Sequence, residues 1–285
     1  MRTKPRWFLL ALLGFVPGGL SGQSSAPSTP LPQPPGIQDN SFLVEEAYNQ
    51  AEGVVQHISG FTRFWPRKTW AYTFTQEWPV DPHPRHQFSF TIPLVSPGGP
   101  SGAGMGDVAL NYRYQLLGNG SARVAFAPRV SVLLPTGDFR SGHGAGGAGV
   151  QLVLPLSVVI NQKLVTHWNV GTTLVPSARN PASDRAATYG YNLGQSFIWR
   201  VHPRFNAMLE TVWTGSDVVV APGRTARQHS LLINPGIRWA HNFPSGLQIV
   251  PGIGVPIGVG PSRGEKGLFL YLSFEHPFRK SKKKM

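Results

Sequence analysis

Alternation of apolar and polar residues is the strongest constraint on how this chain can fold. From Glu52 to Phe278, twelve stretches of about ten to fifteen residues carry apolar side chains at every second position. Each stretch is bounded by Gly, Pro, Asn or Asp. A period of two is that of a β-strand, because a helix with its period near 3.6 would mix the apolar and polar sets.

These stretches predict strands at 52–61, 68–77, 86–95, 105–117, 122–134, 148–160, 163–175, 186–199, 204–214, 228–240, 246–258 and 267–278. Strands in soluble proteins are typically about five or six residues long. A tilted strand that crosses a bilayer needs roughly ten. We therefore predict an all-β fold, a transmembrane antiparallel β-barrel of about 12 strands of the outer-membrane type, over residues 41–278. The alternative is a soluble β-sandwich or a lipocalin-like barrel.

The residues before the barrel predict export. Residues 1–22 have a basic start, a short apolar run and small residues at the end, which is the pattern of a signal peptide. Residues 23–40 are rich in Pro, Ser and Gln and predict an extended periplasmic spacer. Residues 41–50 resemble neither a good strand nor a good helix, and a short plug, a periplasmic cap or a further half-strand all fit them.

The connections between the predicted strands alternate in length, except for 62–67 and 78–85. The short ones are 118–121, 161–162, 200–203 and 241–245, and the long ones are 96–104, 135–147, 176–185, 215–227 and 259–266. Short periplasmic turns alternate with long outer loops in outer-membrane barrels. This pattern predicts the outer membrane of a Gram-negative cell as the location. The expected partners are its lipid, a small-molecule solute, and the barrel-insertion machinery that recognises the C-terminal strand.

Composition argues against several other functions. The net charge of +13 is concentrated in the leader and in the basic tail 279–285, and no Lys/Arg stripe interleaved with aromatic residues remains, so nucleic acid is not an expected partner. The chain has no cysteine, which excludes disulfides, thiolate metal sites and a Cys nucleophile. Its nine histidines are not paired at ligand spacing. We predict no metal, no cofactor and no catalytic residues.

The strand face opposite to the lipid predicts the residues that line the lumen. These are Asp107, Asn111, Arg113, Arg129, His167, Asn169, Glu210, Asn234 and Arg238. Arginines outnumber carboxylates on this face, and such a lining favours anions or electron-rich polar solutes. Arg–carboxylate pairs that fill a narrow barrel and hold it shut are the alternative.

Two turn motifs lie at the predicted outer rim. They are Gly104, Met105, Gly106 and Asp107 before one strand, and Pro135, Thr136, Gly137 and Asp138 after the next. Glycine permits positive φ, and Asp bonds its own backbone in turns. The sequence GMGDVALNYRYQLL followed by PRVSVLLPTGD resembles the outer-membrane family associated with the phenol meta-degradation pathway, over about residues 40–278. The resemblance implies a barrel that helps hydrophobic or aromatic small molecules cross the outer membrane, and it brings no binding or catalytic residues.

The sequence thus predicts a passive channel or transporter for small hydrophobic or aromatic molecules, and not an enzyme. In this hypothesis Arg113, Arg129 and Arg238 set the electric field of the lumen, and the loop 135–147 is the lid. A closed barrel with a structural or adhesion role through its outer loops is the alternative function. A lipid hydrolase at the rim is a third, although its candidates His167, Asn169 and Glu210 point into the lumen by parity.

Overall fold

The computed structural model describes Ile37 and residues 41–278. The predicted signal peptide, almost all of the predicted spacer and the predicted basic tail lie outside the described residues. The described chain contains the strands β1 (Val54–Phe64), β2 (Thr69–Val80), β3 (His83–Ser96), β4 (Gly104–Met105), β5 (Val108–Tyr114), β6 (Val124–Phe126), β7 (Arg129–Leu134), β8 (Gly149–Asn161), β9 (Leu164–Arg179), β10 (Arg185–His202), β11 (Phe205–Ala221), β12 (Arg224–Trp239), β13 (His241–Asn242), β14 (Gln248–Gly254), β15 (Ile257–Gly258) and β16 (Gly267–Pro277).

The strands form one antiparallel sheet that closes on itself. Each strand pairs with its neighbours in the chain, β1 pairs with β16 along its whole length, and β14 pairs with both β12 and β16. Four short strands extend a neighbour, because β4 precedes β5, β6 precedes β7, β13 follows β12 and β15 follows β14. Twelve strands therefore form the wall of the barrel, which confirms the predicted fold.

None of the helices within the described residues is long and apolar enough to cross a membrane.

The barrel is apolar outside and polar inside. Large side chains such as Val170, Leu193 and Trp239 are exposed on the outer surface, whereas Glu210, Asn234 and Arg238 are buried within the barrel. Soluble proteins show the opposite distribution, with their charged residues at the surface. An apolar outer band around a polar interior is the arrangement of a transmembrane barrel. The structure thus agrees with the membrane barrel and not with a soluble sandwich or lipocalin-like barrel.

Two predicted long loops are wrong. Residues 176–185 and 215–227 were expected to be loops, but β9 and β10 leave only 180–184 between them, and β11 and β12 leave only 222–223. The reason is that backbone pairing continues beyond the apolar band. Residues 224–229 all carry exposed side chains, so no apolar alternation marks this part of β12 in the sequence.

Proline interrupts two of the predicted strands. The predicted strand 122–134 is divided into β6 and β7 at Pro128, and the predicted strand 246–258 is divided into β14 and β15 at Pro256. Proline has no N–H to donate to the ladder, so pairing stops locally and resumes on the far side. Binary alternation continues through both positions, which is why the pattern alone predicts unbroken strands.

The two ends of the barrel differ. At one end β1 begins and β16 ends, and we call this the terminal end. At the other, residues 135–148 form a long connection that contains a short 3₁₀ helix (Phe139–Ser141), and we call this the loop end. A second 3₁₀ helix (Gly99–Ser101) and a third (Gly260–Ser262) also lie at the loop end.

An arginine in the middle of the apolar band should destabilise the barrel. We expect Val170→Arg to lower the free energy of unfolding by about 2–4 kcal/mol, because the bilayer midplane cannot solvate the guanidinium. Urea titration of the protein in lipid vesicles measures this. Thr225→Arg, at an exposed position of β12 near the loop end, is the control and should cost below about 1 kcal/mol. Equal losses would show that Val170 does not face lipid.

Candidate functional site

Residues 41–50 lie inside the barrel and are bonded to its inner wall, and we call this segment the plug. Backbone N–H groups of the plug donate to wall side chains: Phe42 and Leu43 to Glu210 Oε1 (both 2.9 Å), Val44 to the same oxygen (3.3 Å), Glu45 to Asn169 Oδ1 (2.7 Å), Ala47 to Ser157 Oγ (2.8 Å), Asn49 to Gln115 Oε1 (2.9 Å) and Gln50 to Gln87 Oε1 (2.7 Å). These partners belong to strands on several sides of the barrel. The structure thus shows a plug, and not a cap or a further half-strand.

The plug enters and leaves at the terminal end. Ile37 packs with Ala240 and Val250, and the Asn49 amide donates to the carbonyl oxygen of Pro84 (3.1 Å) at the beginning of β3. Between these points the chain reaches further into the lumen, where Leu43 and Glu45 form part of the wall of a cavity. The plug therefore lies in the terminal half of the lumen, and the cavity lies nearer the loop end.

A cluster of charges fixes the tip of the plug. The Nε of Arg129 donates to Glu45 Oε2 at 2.9 Å, and the Nη2 of Arg113 donates to the same oxygen at 3.1 Å. Arg113 also donates to the carbonyl oxygen of Tyr48 at 3.0 Å. We call Arg113 and Arg129 the arginine clamp. Burial alone would raise the pKa of the Glu45 carboxyl, but Arg129 and Arg113 outweigh it and lower this pKa from 4.5 to about 2.

Two glycines in the wall make room for the Phe42 ring. A Cβ on Gly236 would lie 2.5 Å from Phe42, and a Cβ on Gly252 would lie 2.6 Å from it. The ring also packs against Phe269 and Tyr271, with centroids 5.1 Å and 5.4 Å apart. Because a protein interior is close-packed, any side chain at either glycine would force this ring to move.

The structure places eight of the nine predicted lumen residues on the inner wall. Their side chains are buried or nearly so: Asn111, Arg113, Arg129, His167, Asn169, Glu210, Asn234 and Arg238. Asn169 and Glu210 bind the plug backbone, and Asn234 donates to Glu210 Oε2 at 2.9 Å. His167 bonds Ser157 Oγ at 2.7 Å. The plug thus brings together residues that the sequence could assign only one by one to a strand face.

Sequence reasoning missed the carboxylates that face the arginines. Glu46 and Glu77 are buried, and Glu45 is in the arginine clamp, so the interior is not the net basic lining that was expected. Glu77 is the last residue of the second predicted strand. Glu45 and Glu46 lie on the plug, outside the predicted strands. Two adjacent glutamates in a chain with only 13 acidic residues were the signal available.

Asp107 lies at the loop end, where both of its carboxylate oxygens bind the backbone of the loop 135–147. Its Oδ1 accepts the N–H of Gly137 at 2.9 Å, and its Oδ2 accepts the N–H of Ala145 at 2.7 Å. Thr136 Oγ1 donates to the carbonyl oxygen of Gly106 at 2.8 Å and accepts the N–H of Val108 at 2.9 Å. The two turn motifs are therefore bonded to each other, and they hold the loop 135–147 in place.

The remaining motif residues shape the same loop. Asp138 accepts the N–H of Arg140 at 3.0 Å and the hydroxyl of Ser141 at 2.6 Å, which caps the 3₁₀ helix. A Cβ on Gly104 would lie 2.2 Å from His143 Nδ1, so this position must be glycine for the loop to lie where it does. Pro135 directly follows β7 and begins this loop.

Two cavities lie between the plug and the loop end. The first, which we call the polar chamber, has a volume of about 570 Å³ and is lined by Glu45 and Arg129 and by polar wall residues that include Gln151, Asn192 and Thr214. The second, the apolar chamber, has a volume of about 400 Å³ and lies beneath the loop residues 142–144. Its lining includes Phe64, Ala71, Val95 and Pro97. Within the described residues, no group of three or more His, Cys, Asp or Glu is placed to hold a metal ion.

Solved structures show which fold this is. An outer membrane channel from Pseudomonas putida F1 is 16% identical, with a TM-score of 0.56, and the match covers 81% of this chain and 97% of that one. The NanC porin is 10% identical, with a TM-score of 0.52, and the match covers 77% of this chain and 98% of that one. No family model and no curated protein matches the sequence. At these identities the likeness establishes the porin-like barrel fold.

A methyl group in the seat of Phe42 should loosen the plug. In Gly252→Ala the new Cβ would meet the Phe42 ring at 2.6 Å, so we expect faster hydrogen–deuterium exchange at the amides of 42–44, by about tenfold or more. Gly190→Ala is the control, because its Cβ would have no neighbour closer than 3.6 Å. Exchange rates that are equal in the two variants would contradict the assigned seat.

Acid should release the plug only at low pH. The pKa of Glu45 is lowered to about 2, so its stabilisation of the docked plug is fully present above pH 4.5 and is lost as the pH falls through about 2. We expect exchange protection of residues 42–50, corrected for intrinsic rates, to be unchanged between pH 7 and pH 5 and to fall below pH 4. In Glu45→Gln this acid-dependent loss should be smaller, because the ion pairs of Glu45 with Arg113 and Arg129 are already absent. Loss of protection near pH 6 in the native chain would contradict the assignment.

Proposed function

We propose that this protein is a passive channel of the outer membrane for small hydrophobic or aromatic molecules, and that the plug is its gate. One observation carries the proposal: the polar lumen is occupied by a short segment that is not part of the sheet and is bonded to the inner wall. A wall formed by strands is held by continuous backbone pairing, whereas the plug is held by side chains. The plug is therefore the element that can leave without opening the barrel.

The fold and the resemblance support this location and class of solute. The two solved structures compared above are described as an outer membrane channel and a porin. The turn motifs resemble the outer-membrane family associated with the phenol meta-degradation pathway, and this resemblance implies passage of hydrophobic or aromatic small molecules. The apolar chamber, at about 400 Å³, has the volume of a small-molecule pocket, for which about 300–1,000 Å³ is usual.

The orientation follows from the same proposal. The loop end faces outward with the loop 135–147 above the apolar chamber, and the terminal end faces the periplasm. The apolar band contacts lipid, and β16 presents the strand that the insertion machinery recognises. A solute enters through the chambers and passes the plug after its tip has moved.

The inner wall contains one pair that resembles catalytic machinery, and the plug covers it. Ser157 Oγ bonds His167 Nδ1 at 2.7 Å and accepts the N–H of Ala47 at 2.8 Å. The Tyr48 ring lies edge-on to His167, with centroids 6.0 Å apart. A nucleophilic serine must reach a substrate, and this hydroxyl is buried beneath the plug. We therefore assign the pair to docking of the plug and propose no bond chemistry.

A disulfide that locks the plug should close the channel. Ser41 Oγ donates to Ser196 Oγ at 2.9 Å, and the chain has no cysteine, so Ser41→Cys with Ser196→Cys introduces a single pair. We expect the refolded, oxidised variant in a planar bilayer to show at least tenfold fewer openings than the native chain. Reduction with dithiothreitol should restore them, because the plug is then free to move.

Each single-cysteine variant is a matched control, and neither should respond to reduction. Openings that persist in the oxidised double variant would show that solutes pass without movement of the plug. Silence of the native chain and of the reduced variant, with the barrel correctly folded, would favour the closed barrel with a structural or adhesion role in its outer loops.

A further inference from the structure

We propose that the arginine clamp is a carboxylate-binding site, that Glu45 occupies it as an internal ligand, and that small organic carboxylates from the polar chamber compete with Glu45 for it. This inference rests on the proposed channel function and names the chemical class of its solute. The aromatic or apolar molecules of the proposal are, at this site, those that carry a carboxylate group.

The clamp can be reached from the polar chamber. Glu45 and Arg129 both line this chamber, and their side chains are 28% and 12% exposed. Arg113 is only 3% exposed and lies deeper, behind the carboxylate. A solute that enters a cavity of about 570 Å³ from the loop end therefore meets the Arg129 guanidinium before that of Arg113.

The Arg129 guanidinium has the geometry of a carboxylate receptor. Its Nε donates to Oε2 of Glu45 at 2.9 Å, and its Nη2 donates to Oε1 at 2.5 Å, so two parallel bonds engage both oxygens. This bidentate arrangement is the strong and specific form of arginine–carboxylate recognition. Arg113 supplies a third bond, to Oε2 at 3.1 Å.

The wall holds this receptor in place independently of Glu45. Arg129 Nη1 donates to Asn111 Oδ1 at 3.0 Å, and its Nη2 donates to Gln151 Oε1 at 3.1 Å. These two acceptors are on β5 and β8, on either side of β7. The guanidinium therefore keeps its orientation when Glu45 leaves. Because it is already ordered, its ordering does not weaken the binding of a ligand.

Charge balance selects an anion as the competing ligand. When Glu45 leaves, Arg113 and Arg129 lose the carboxylate that they share. Arg113 still faces the buried Glu46 and Glu77, but Arg129 loses its ion pair with Glu45, and a buried charge without its partner is costly. A monocarboxylate replaces the lost charge one for one, whereas a neutral molecule of the same shape does not. Threonine and amide side chains of the chamber wall accommodate polar substituents on the ligand.

Benzoate and benzamide test this, because they share a shape and differ in charge. In Glu45→Ala the clamp is emptied, and we expect benzoate to bind the full-length variant in detergent at least tenfold more tightly than benzamide, measured by isothermal titration calorimetry. The native chain should bind benzoate at least tenfold more weakly than Glu45→Ala, because Glu45 competes. Adding Arg129→Gln to Glu45→Ala should remove the preference for benzoate.

Two further variants are controls for benzoate binding at the arginine clamp. Glu265→Ala breaks an exposed arginine–glutamate pair with Arg67 at the loop end, where the two groups are 2.5 Å apart, and should bind benzoate as the native chain does. Glu45→Ala with Arg129→Lys keeps the charge but loses the two parallel bonds, so binding should be intermediate. Heat-dependent mobility on gels verifies that each barrel is folded.

The inference is overturned if benzoate and benzamide bind Glu45→Ala equally, or if the Arg129 substitutions leave benzoate binding unchanged. Planar-bilayer recordings separate this from the channel proposal. Conductance without a benzoate preference removes the carboxylate site and leaves the channel. Benzoate binding by a variant that never conducts supports the site and contradicts the channel.

Discussion

The pairing of backbone polar groups in lipid is the constraint on which this structure depends. No water is available in the hydrocarbon to bond a free N–H or carbonyl group, so a sheet that crosses the membrane must close on itself. Closure is completed where β1 meets β16 and where β14 joins β12. Once the sheet is closed, alternate side chains face lipid or lumen, and the polar half of every strand is directed inward.

The polar side chains that face inward need hydrogen-bond partners in the lumen, and the plug provides them. Glu210 accepts three consecutive N–H groups of the plug, and Asn169 bonds both the N–H and the carbonyl oxygen of Glu45, at 2.7 Å and 2.8 Å. Buried polar groups are costly unless they are bonded, so the plug and the wall satisfy each other. Because side chains make these bonds, the plug is stabilised without becoming a strand of the barrel.

At the loop end, hydrogen bonds between turns hold the structure in place. Here the loop 135–147 is fixed through its backbone by Asp107, while Thr136 joins the two turn motifs. The loop stands above the apolar chamber, and the polar chamber ends at Arg129. The lumen therefore has a loop fixed through its backbone at the loop end and, at the terminal end, a segment held by a cluster of charges and by hydrogen bonds to the wall.

The sequence by itself determined the barrel, since alternation with period two is a property of each strand and needs no knowledge of its neighbours. Parity likewise placed Arg113 and Glu210 on the inner face. Only the tertiary structure decided what those residues bind, because Glu45 lies 68 residues from Arg113 and no local pattern connects them. The same holds for Asp107, whose partners lie across a rim. Strand faces are set by local chemistry, whereas the contents of the lumen are set by closure of the sheet.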